Sequence, residues 1–383
     1  MTTLQIGMGW FPELPGGLDR VYYNLVRALT MLGVDVRGIV AGSQDVVRSS
    51  CGRVAAFGGT EIPLVRRLAL ARGAVRQHIA ACRPDIVGAH FALFTLPALD
   101  VMRHLPLVVH FHGPWAQELK AEGRAGSRTT RMKFATGHVI EQLVYRRALR
   151  CIVLSKAFGE LLERDYGVPA ERIRVVPGGV ETDRFTTAAT KQEARRELGL
   201  DPHRPVIVVV RRLARRMGLD NLLSAMAEVR RRVPDVLLLI AGKGPMRDEL
   251  QQQIEQMALT GNVALLGFVP DDRLPLLYRS AEFSVVPTAS LEGFGLITLE
   301  SLAAGTPVLV TPVGGLPEAV ESLSRELILA SAAPAELAIG IENALLGQKS
   351  LPTSEACRNY VTANFTWGIC AQRTCDVYRE VLA

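Results

Sequence analysis

Short apolar runs alternate along the whole chain with longer stretches in which apolar and polar residues are mixed. Runs such as Val206-Ile207-Val208-Val209-Val210 and Val236-Leu237-Leu238-Leu239-Ile240 have strand length and no polar alternation, the pattern of strands buried on both faces of a parallel sheet. The stretches between them carry apolar residues at helical spacing, as at Val21, Leu25, Ala28, Leu29 and Leu32, with Gly33 closing the pattern. Strands are expected at 4–8, 36–40, 86–89, 107–111, 151–154 and 173–176. A second set is expected at 206–210, 236–241, 263–267, 283–286 and 308–311. Strand and helix in alternation predict an α/β fold with parallel sheets covered on both sides.

Pro177-Gly178-Gly179-Val180 and the polar stretch that runs on to Pro205 separate the two sets and read as an interdomain linker. The expectation is two Rossmann-like domains of similar size, 1–180 and 181–365, facing each other across a cleft. The last helix, 366–383, carries Ile369, Cys370, Val377, Tyr378, Val381 and Leu382. That apolar face can serve either domain; the reading taken is that the helix crosses back to the first.

Composition narrows the class. With 48% hydrophobic residues in 383, the chain can bury two cores and is far from a disordered profile. No apolar run reaches the roughly 20 residues of a membrane-spanning helix. The chain enters a strand pattern at once, so a secretory signal is not expected. Cys51, Cys82, Cys151, Cys357, Cys370 and Cys375 form no C-x-x-C pair and read as reduced thiols of a cytoplasmic protein. The formal charge is +6, yet residues 61–150 hold 14 Lys/Arg against 6 Asp/Glu, a local +8. Such asymmetry points to an anionic partner for the first half.

Several strand ends carry candidate chemistry. Glu292-Gly293-Phe294-Gly295-Leu296-Ile297-Thr298-Leu299-Glu300 sets two carboxylates around a Phe-Gly turn that opens a helix, whose free N–H groups and dipole suit an anion. A phosphate seat flanked by two hydroxyl-binding acids fits a sugar nucleotide, one Glu for the sugar and the other for the ribose. Pro15-Gly16-Gly17-Leu18-Asp19-Arg20 lets backbone amides approach a diphosphate with no Cβ in the way, although a plain turn accounts for the glycines as well. Ile6-Gly7-Met8-Gly9 begins a dinucleotide fingerprint, but Pro12 replaces its third glycine. His110-Phe111-His112-Gly113 ends a strand. His110 reads as structural, and His112 at the tip is the candidate for touching substrate. Arg211-Arg212-Leu213-Ala214-Arg215-Arg216-Met217-Gly218 places four guanidinium groups where a diphosphate needs them. Ala241-Gly242-Lys243-Gly244-Pro245 is another glycine-rich turn with a charge, and Val313-Gly314-Gly315 a third, side-chain-poor loop. No D-x-D and no His/Asp/Glu group with metal-ligand spacing occurs. Positive charge and helix dipoles are therefore expected to neutralise a leaving diphosphate without metal or other cofactor.

In this order the motifs resemble the retaining glycosyltransferase family 4, of the GT-B fold. The pieces are Gly16-Gly17, His110-Phe111-His112-Gly113, Val175-Val176-Pro177-Gly178-Gly179-Val180, Arg212-Leu213, Gly242-Lys243-Gly244-Pro245, Leu266-Gly267-Phe268-Val269 and the Glu292…Glu300 pair. The resemblance implies that amides of Gly16 and Gly17 lie near the diphosphate, that His112 meets the donor sugar, and that Arg212 neutralises the diphosphate. Backbone around Phe268 and Val269 is to hold the base, and Glu292 the sugar hydroxyls. The turn Gly293, Phe294 and Gly295 leads to the Leu296 and Ile297 amides for the phosphate, with Glu300 for the ribose; Lys243 and Gly244 complete the donor site. One position departs from the family: where it carries Lys before the closing glycine, this chain has Met217. Arg216 or Arg215 is the expected substitute.

The resulting expectation is a metal-independent retaining enzyme that moves a hexose from a nucleotide diphosphate sugar, UDP by its frequency in the family, to an acceptor hydroxyl. A lipid-linked or glycan acceptor is expected, with docking on the cytoplasmic face of an anionic membrane through Arg66, Arg67, Arg72 and Arg76 and through Arg124, Arg128, Arg131 and Lys133; nucleic acid is not an expected partner. The alternatives are a nucleotide-sugar epimerase or hydrolase, a transferase for a soluble sugar or natural product, and a non-catalytic polyanion-binding protein.

Overall fold

The computed structural model describes every residue except Pro15 and 123–127, so the glycine loop's Pro15 and the basic cluster's Arg124 lie outside the described residues. The chain forms two compact units, Met1–Gly179 with Trp367–Ala383, and Val180–Thr366.

The first unit is built on strands β1 (Thr2–Ile6), β2 (Asp35–Val40), β3 (Val54–Ala56), β4 (Ile86–Ala89), β5 (Leu107–Phe111), β6 (Arg150–Val153) and β7 (Ile173–Val175). They form one sheet in the order β3-β2-β1-β4-β5-β6-β7, with every pair parallel. The second unit has β8 (Val206–Val210), β9 (Leu237–Ala241), β10 (Val263–Gly267), β11 (Phe283–Val286) and β12 (Val308–Val310), ordered β10-β9-β8-β11-β12 and parallel throughout. Strands such as Val206-Ile207-Val208-Val209 are wholly buried, which is why the sequence shows runs and not alternation. In each sheet the order reverses once, between β1 and β4 and between β8 and β11. Open α/β sheets hold ligands just outside the strand ends at such a reversal.

Two details differ from the expectation. The short edge strand β3 went unnoticed, because three small residues carry no periodic signal. The stretch from 181 to 205 is not a loose linker. It holds helices Thr182–Phe185 and Lys191–Glu197, the second opened by a Thr190–Glu193 capping box. Phe185 is buried with its ring 6.1 Å from that of Tyr278, and Arg195 is buried in a pair with Glu282 at 2.6 Å. The segment belongs to the second unit's core.

The last helix, Trp367–Leu382, belongs to the first unit, where it packs on the helix Gly17–Met31. Its Glu380 receives Arg150 Nε at 2.8 Å and Arg174 Nε at 2.9 Å. All six cysteines are free, four of them buried. Among the described residues no helix is long and apolar enough to cross a membrane.

Candidate functional site

In the second unit the reversal point is occupied by Arg211, the first residue past β8, and by the loop that follows β11. Arg211 is 7% exposed. Its Nη2 donates to Glu292, to Thr288 Oγ1 at 2.7 Å, and to Met217 Sδ at 2.7 Å. Glu292 is itself largely covered, with 15% of its side chain exposed. The departure at Met217 thus has a structural counterpart: the guanidinium of Arg211 ends where the side chain of residue 217 ends. Arg216 Nη1 donates to the Leu291 carbonyl at 2.8 Å, and the Arg216 carbonyl accepts from Ala289 N at 2.9 Å. Arg216 therefore clamps the loop, in which Leu291 has a positive φ of 55°, immediately ahead of Glu292. Arg215 turns away to Glu249 at 2.8 Å. Arg212 is exposed at the end of β8.

Two glycines are required by close approach. A Cβ on Gly242 would lie 1.8 Å from the Arg211 carbonyl, and one on Gly314 2.0 Å from the Glu292 carbonyl. Both glycines have positive φ, so the chains on either side of the Arg211–Glu292 pair press directly on its backbone.

The helix Leu296–Ala303 begins at Gly295, in a left-handed conformation and with no side-chain cap. The amides of Leu296 and Ile297 open that helix, and an anion is the natural complement of such a terminus. Glu300 lies one turn in and is 6% exposed; Tyr278 Oη donates to its Oε2 at 3.4 Å. Gly293 and Phe294 are buried, and the Phe294 ring packs 5.5 Å from Phe365, which leaves the backbone of that turn as its chemistry. At the ends of β9 and β10, Lys243 Nζ sits 5.2 Å from the centre of the Phe268 ring. Phe268 is 56% exposed beside half-buried Val269, and half-buried Gly244 follows Lys243.

In the first unit, Gly16 caps the helix Gly17–Met31 without a side chain. Asp19, in its first turn, is turned inward and is 2% exposed. Burial pushes its carboxyl up to about 6, against a hydrogen bond from the Gly9 backbone. At the neighbouring strand ends, His90, His110 and His112 lie in a stack: the rings of His90 and His110 are 4.2 Å apart at 9°, and those of His90 and His112 5.3 Å apart at 13°. His112 Nε2 is 3.0 Å from His90 Nδ1, and His112 Nδ1 is buried with no partner among the described residues. Burial lowers the His112 pKa to about 4. The stacked rings do not converge on a point, and among the described residues no group of three or more His, Cys, Asp or Glu could hold a metal ion.

The structure therefore brings Arg211, Arg216 and Glu292 together at one reversal point, with Lys243 and Phe268 paired at neighbouring strand ends. Sequence reasoning missed the roles of Arg211, Asp19 and His90. Arg211 was hidden among four arginines. Asp19 gave a signal only as an acid in the first turn of its helix, and His90 only as a polar group at the end of β4.

Residues 15–184 match the family described as Glycosyltransferase Family 4, and residues 190–363 that described as Glycosyl transferases group 1. The chain is 34% identical over 225 residues to a D-inositol 3-phosphate glycosyltransferase of Segniliparus rotundus, covering 58% of this chain and 50% of the relative. It is 31% identical over 219 residues to a GDP-mannose-dependent alpha-(1-6)-phosphatidylinositol monomannoside mannosyltransferase of Mycobacterium tuberculosis, covering 55% and 57%. The matches thus span about half of those relatives' length. Over its whole length the fold resembles the sucrose-phosphate synthase of Thermosynechococcus elongatus, with a TM-score of 0.82 at 22% identity, covering 100% of this chain and 99% of the other. That likeness establishes the GT-B fold. With its two halves matched in chain order, the chain belongs to glycosyltransferase family 4, the glycosyl transferases group 1.

Proposed function

We propose that this chain transfers a hexose from a nucleotide diphosphate sugar to an acceptor hydroxyl, with retention at the anomeric carbon and without a metal ion. The observation that carries the reading is the Arg211–Glu292 pair beside the uncapped start of the helix Leu296–Ala303. Glu292 is held for hydroxyl groups of the sugar, and the Leu296 and Ile297 amides for the phosphate. Arg212 and Arg216 add positive charge for the leaving diphosphate. Glu300 takes the ribose, and the backbone at Phe268 and Val269 takes the base. Within the first unit, the amides of Gly16 and Gly17 and the ring of His112 are the groups assigned to nucleotide-sugar contacts.

No carboxylate besides Glu292 and Glu300 is assigned to the donor, so a front-face substitution is favoured. The acceptor oxygen bonds to the anomeric carbon on the face from which the diphosphate leaves. The bond to the leaving oxygen breaks, and the acceptor proton passes to that phosphate oxygen.

Uracil is the base we propose, and the GDP-mannose-dependent relative makes guanine the competing reading. The acceptor class we propose is a lipid-linked intermediate or a glycan; the relatives' names carry a phosphatidylinositol mannoside and, for the competing soluble acceptor, an inositol phosphate. The test is turnover over a panel of UDP-, GDP- and ADP-hexoses, with and without EDTA, with the product's anomeric configuration read by NMR. Retained configuration and EDTA-resistant turnover are expected. Activity lost on chelation and restored by Mn²⁺ overturns the metal-free mechanism, and free hexose or an epimer with no acceptor requirement overturns transfer.

A further inference from the structure

The first unit carries a hydrogen-bonded chain that ends on His112 and whose other members the reaction above does not use. Gln5 is a polar residue between Leu4 and Ile6 in strand β1, and it is fully buried. Its cross-strand neighbour is Gly88, where a Cβ would lie 2.1 Å from Gln5 Oε1 and 2.8 Å from Tyr378 Oη. The missing side chain leaves the notch in which both groups sit. Gln5 Oε1 is 3.0 Å from His90 Nε2, and Gln5 Nε2 donates to Tyr378 Oη at 3.1 Å. Tyr378, on the last helix, is in turn 2.7 Å from His110 Nε2. The remaining link is His90 Nδ1 to His112 Nε2.

We propose that Tyr378, Gln5 and His90 are positioning residues that fix the tautomer of His112, so that its Nδ1 is bare and accepts a hydrogen bond from a sugar hydroxyl. The direction of the chain follows from what each atom can do. An amide oxygen only accepts, so the proton between Gln5 and His90 is on His90 Nε2. A neutral imidazole carries one N–H, so His90 Nδ1 is bare and must receive the proton of His112 Nε2. The same count leaves His112 Nδ1 without a proton. On the other arm Tyr378 accepts from the amide and passes its own proton to His110 Nε2.

All three rings are neutral at neutral pH. Burial is the main cause, and for His90 the neighbouring His110 and His112 add to it. The Gln5 amide, held by Tyr378 and His90, sets the direction of the chain, and each neutral imidazole passes that direction on. Turning it over would reverse every proton and present an N–H at His112 instead. The last helix thus reaches the proposed sugar contact through four side chains.

That His112 meets a sugar rests on the proposed function; the direction of the relay does not, and one experiment separates them. Histidine ring nitrogens are isotopically labelled in the full chain and read by long-range proton–nitrogen correlation, His112 being assigned through His112→Gln. Without ligand, His112 should show a protonated Nε2 and a bare Nδ1. Gln5→Met removes the anchor and should leave His112 in a mixture of tautomers. Tyr378→Phe, which frees the amide to turn, should act in the same direction. A proton on His112 Nδ1 in the wild type, or a His112 tautomer unmoved in both variants, overturns the relay. UDP-glucose and GDP-mannose are then added to the wild type, and a shift of the bare Nδ1 signal towards the hydrogen-bonded range is expected with one of them. No shift with either overturns the sugar contact while the ligand-free spectrum still decides the relay.

Discussion

Removing the guanidinium of Arg211 is the sharpest perturbation the second unit offers. In Arg211→Met, Glu292 keeps its charge in a site that is only 15% exposed and loses its cation, and Thr288 loses a donor. Stripping one partner from a buried ion pair costs about 3–5 kcal/mol, most of it the penalty for the charge left behind. For a unit of this size, about 2–4 °C of melting temperature goes with each kcal/mol, so thermal melts should fall by roughly 6–20 °C. Glu292→Gln removes the stranded charge, so Arg211→Met/Glu292→Gln should recover most of that loss. The coupling read from the four melts should be on the order of 2–3 kcal/mol. Function gives a second reading of the same residue. Arg211 ends on Met217, so Arg211→Met/Met217→Lys returns a cation to the same place. It should regain much of the kcat/KM that Arg211→Met loses. Two single variants whose effects simply add, or a Met217→Lys that restores nothing while Arg216→Ala alone abolishes turnover, would show that Arg211 does not supply this charge.

The two glutamates should separate kinetically. Glu292→Gln is expected to lower kcat more than nucleotide affinity, whereas Glu300→Ala should weaken nucleotide binding by about 1.5–3 kcal/mol, measured by calorimetry; near wild-type kinetics in both removes the site. Glu141, buried beneath Tyr145 Oη and Tyr166 Oη at 3.1 and 2.8 Å, has its carboxyl pushed up by burial from 4.5 to about 7. The folded state therefore holds this proton more tightly than the unfolded chain, and the stability it gives is full below pH 4.5 and lost as pH rises to about 7. Glu141→Gln should flatten that part of the pH–stability curve and stabilise the protein above it by up to roughly 3 kcal/mol; an unchanged slope refutes the assignment. Vesicle co-sedimentation tests membrane docking. Of the four arginines in the helix Leu64–Cys82, Arg72 pairs with Asp100 and Arg67 lies 5.9 Å from the Phe94 ring, and Val75 is buried. Binding to anionic lipid should therefore drop on changing exposed Arg66 and Arg76 to Gln, by about 1 kcal/mol each, and no binding at low salt favours a soluble acceptor.

How far the sequence could be read depended on whether a residue's role is local. Val206-Ile207-Val208-Val209-Val210 announces a doubly covered strand because burial on both faces constrains every position, so the α/β alternation was legible throughout. The turn around Gly295 was legible for the same reason: a glycine before an apolar run marks a helix start whatever the rest of the chain does. Arg211 was not. Four arginines in six positions are equivalent as a string, and only the line of β8 decides that the first enters the core while Arg215 reaches Glu249. The polar stretch after residue 180 misled in the opposite sense: Arg195 counts as solvated on any composition scale, yet it is 3% exposed, because Glu282 and two carbonyls 2.9 Å from its guanidinium replace water. Gln5 and Tyr378 are separated by 373 positions. Each looks like a flaw in an apolar pattern until the sheet sets Gly88 beside Gln5 and opens the space they share. Polar residues that interrupt an apolar element are thus the places where a sequence withholds most, since the partner that justifies them is fixed by topology and not by spacing.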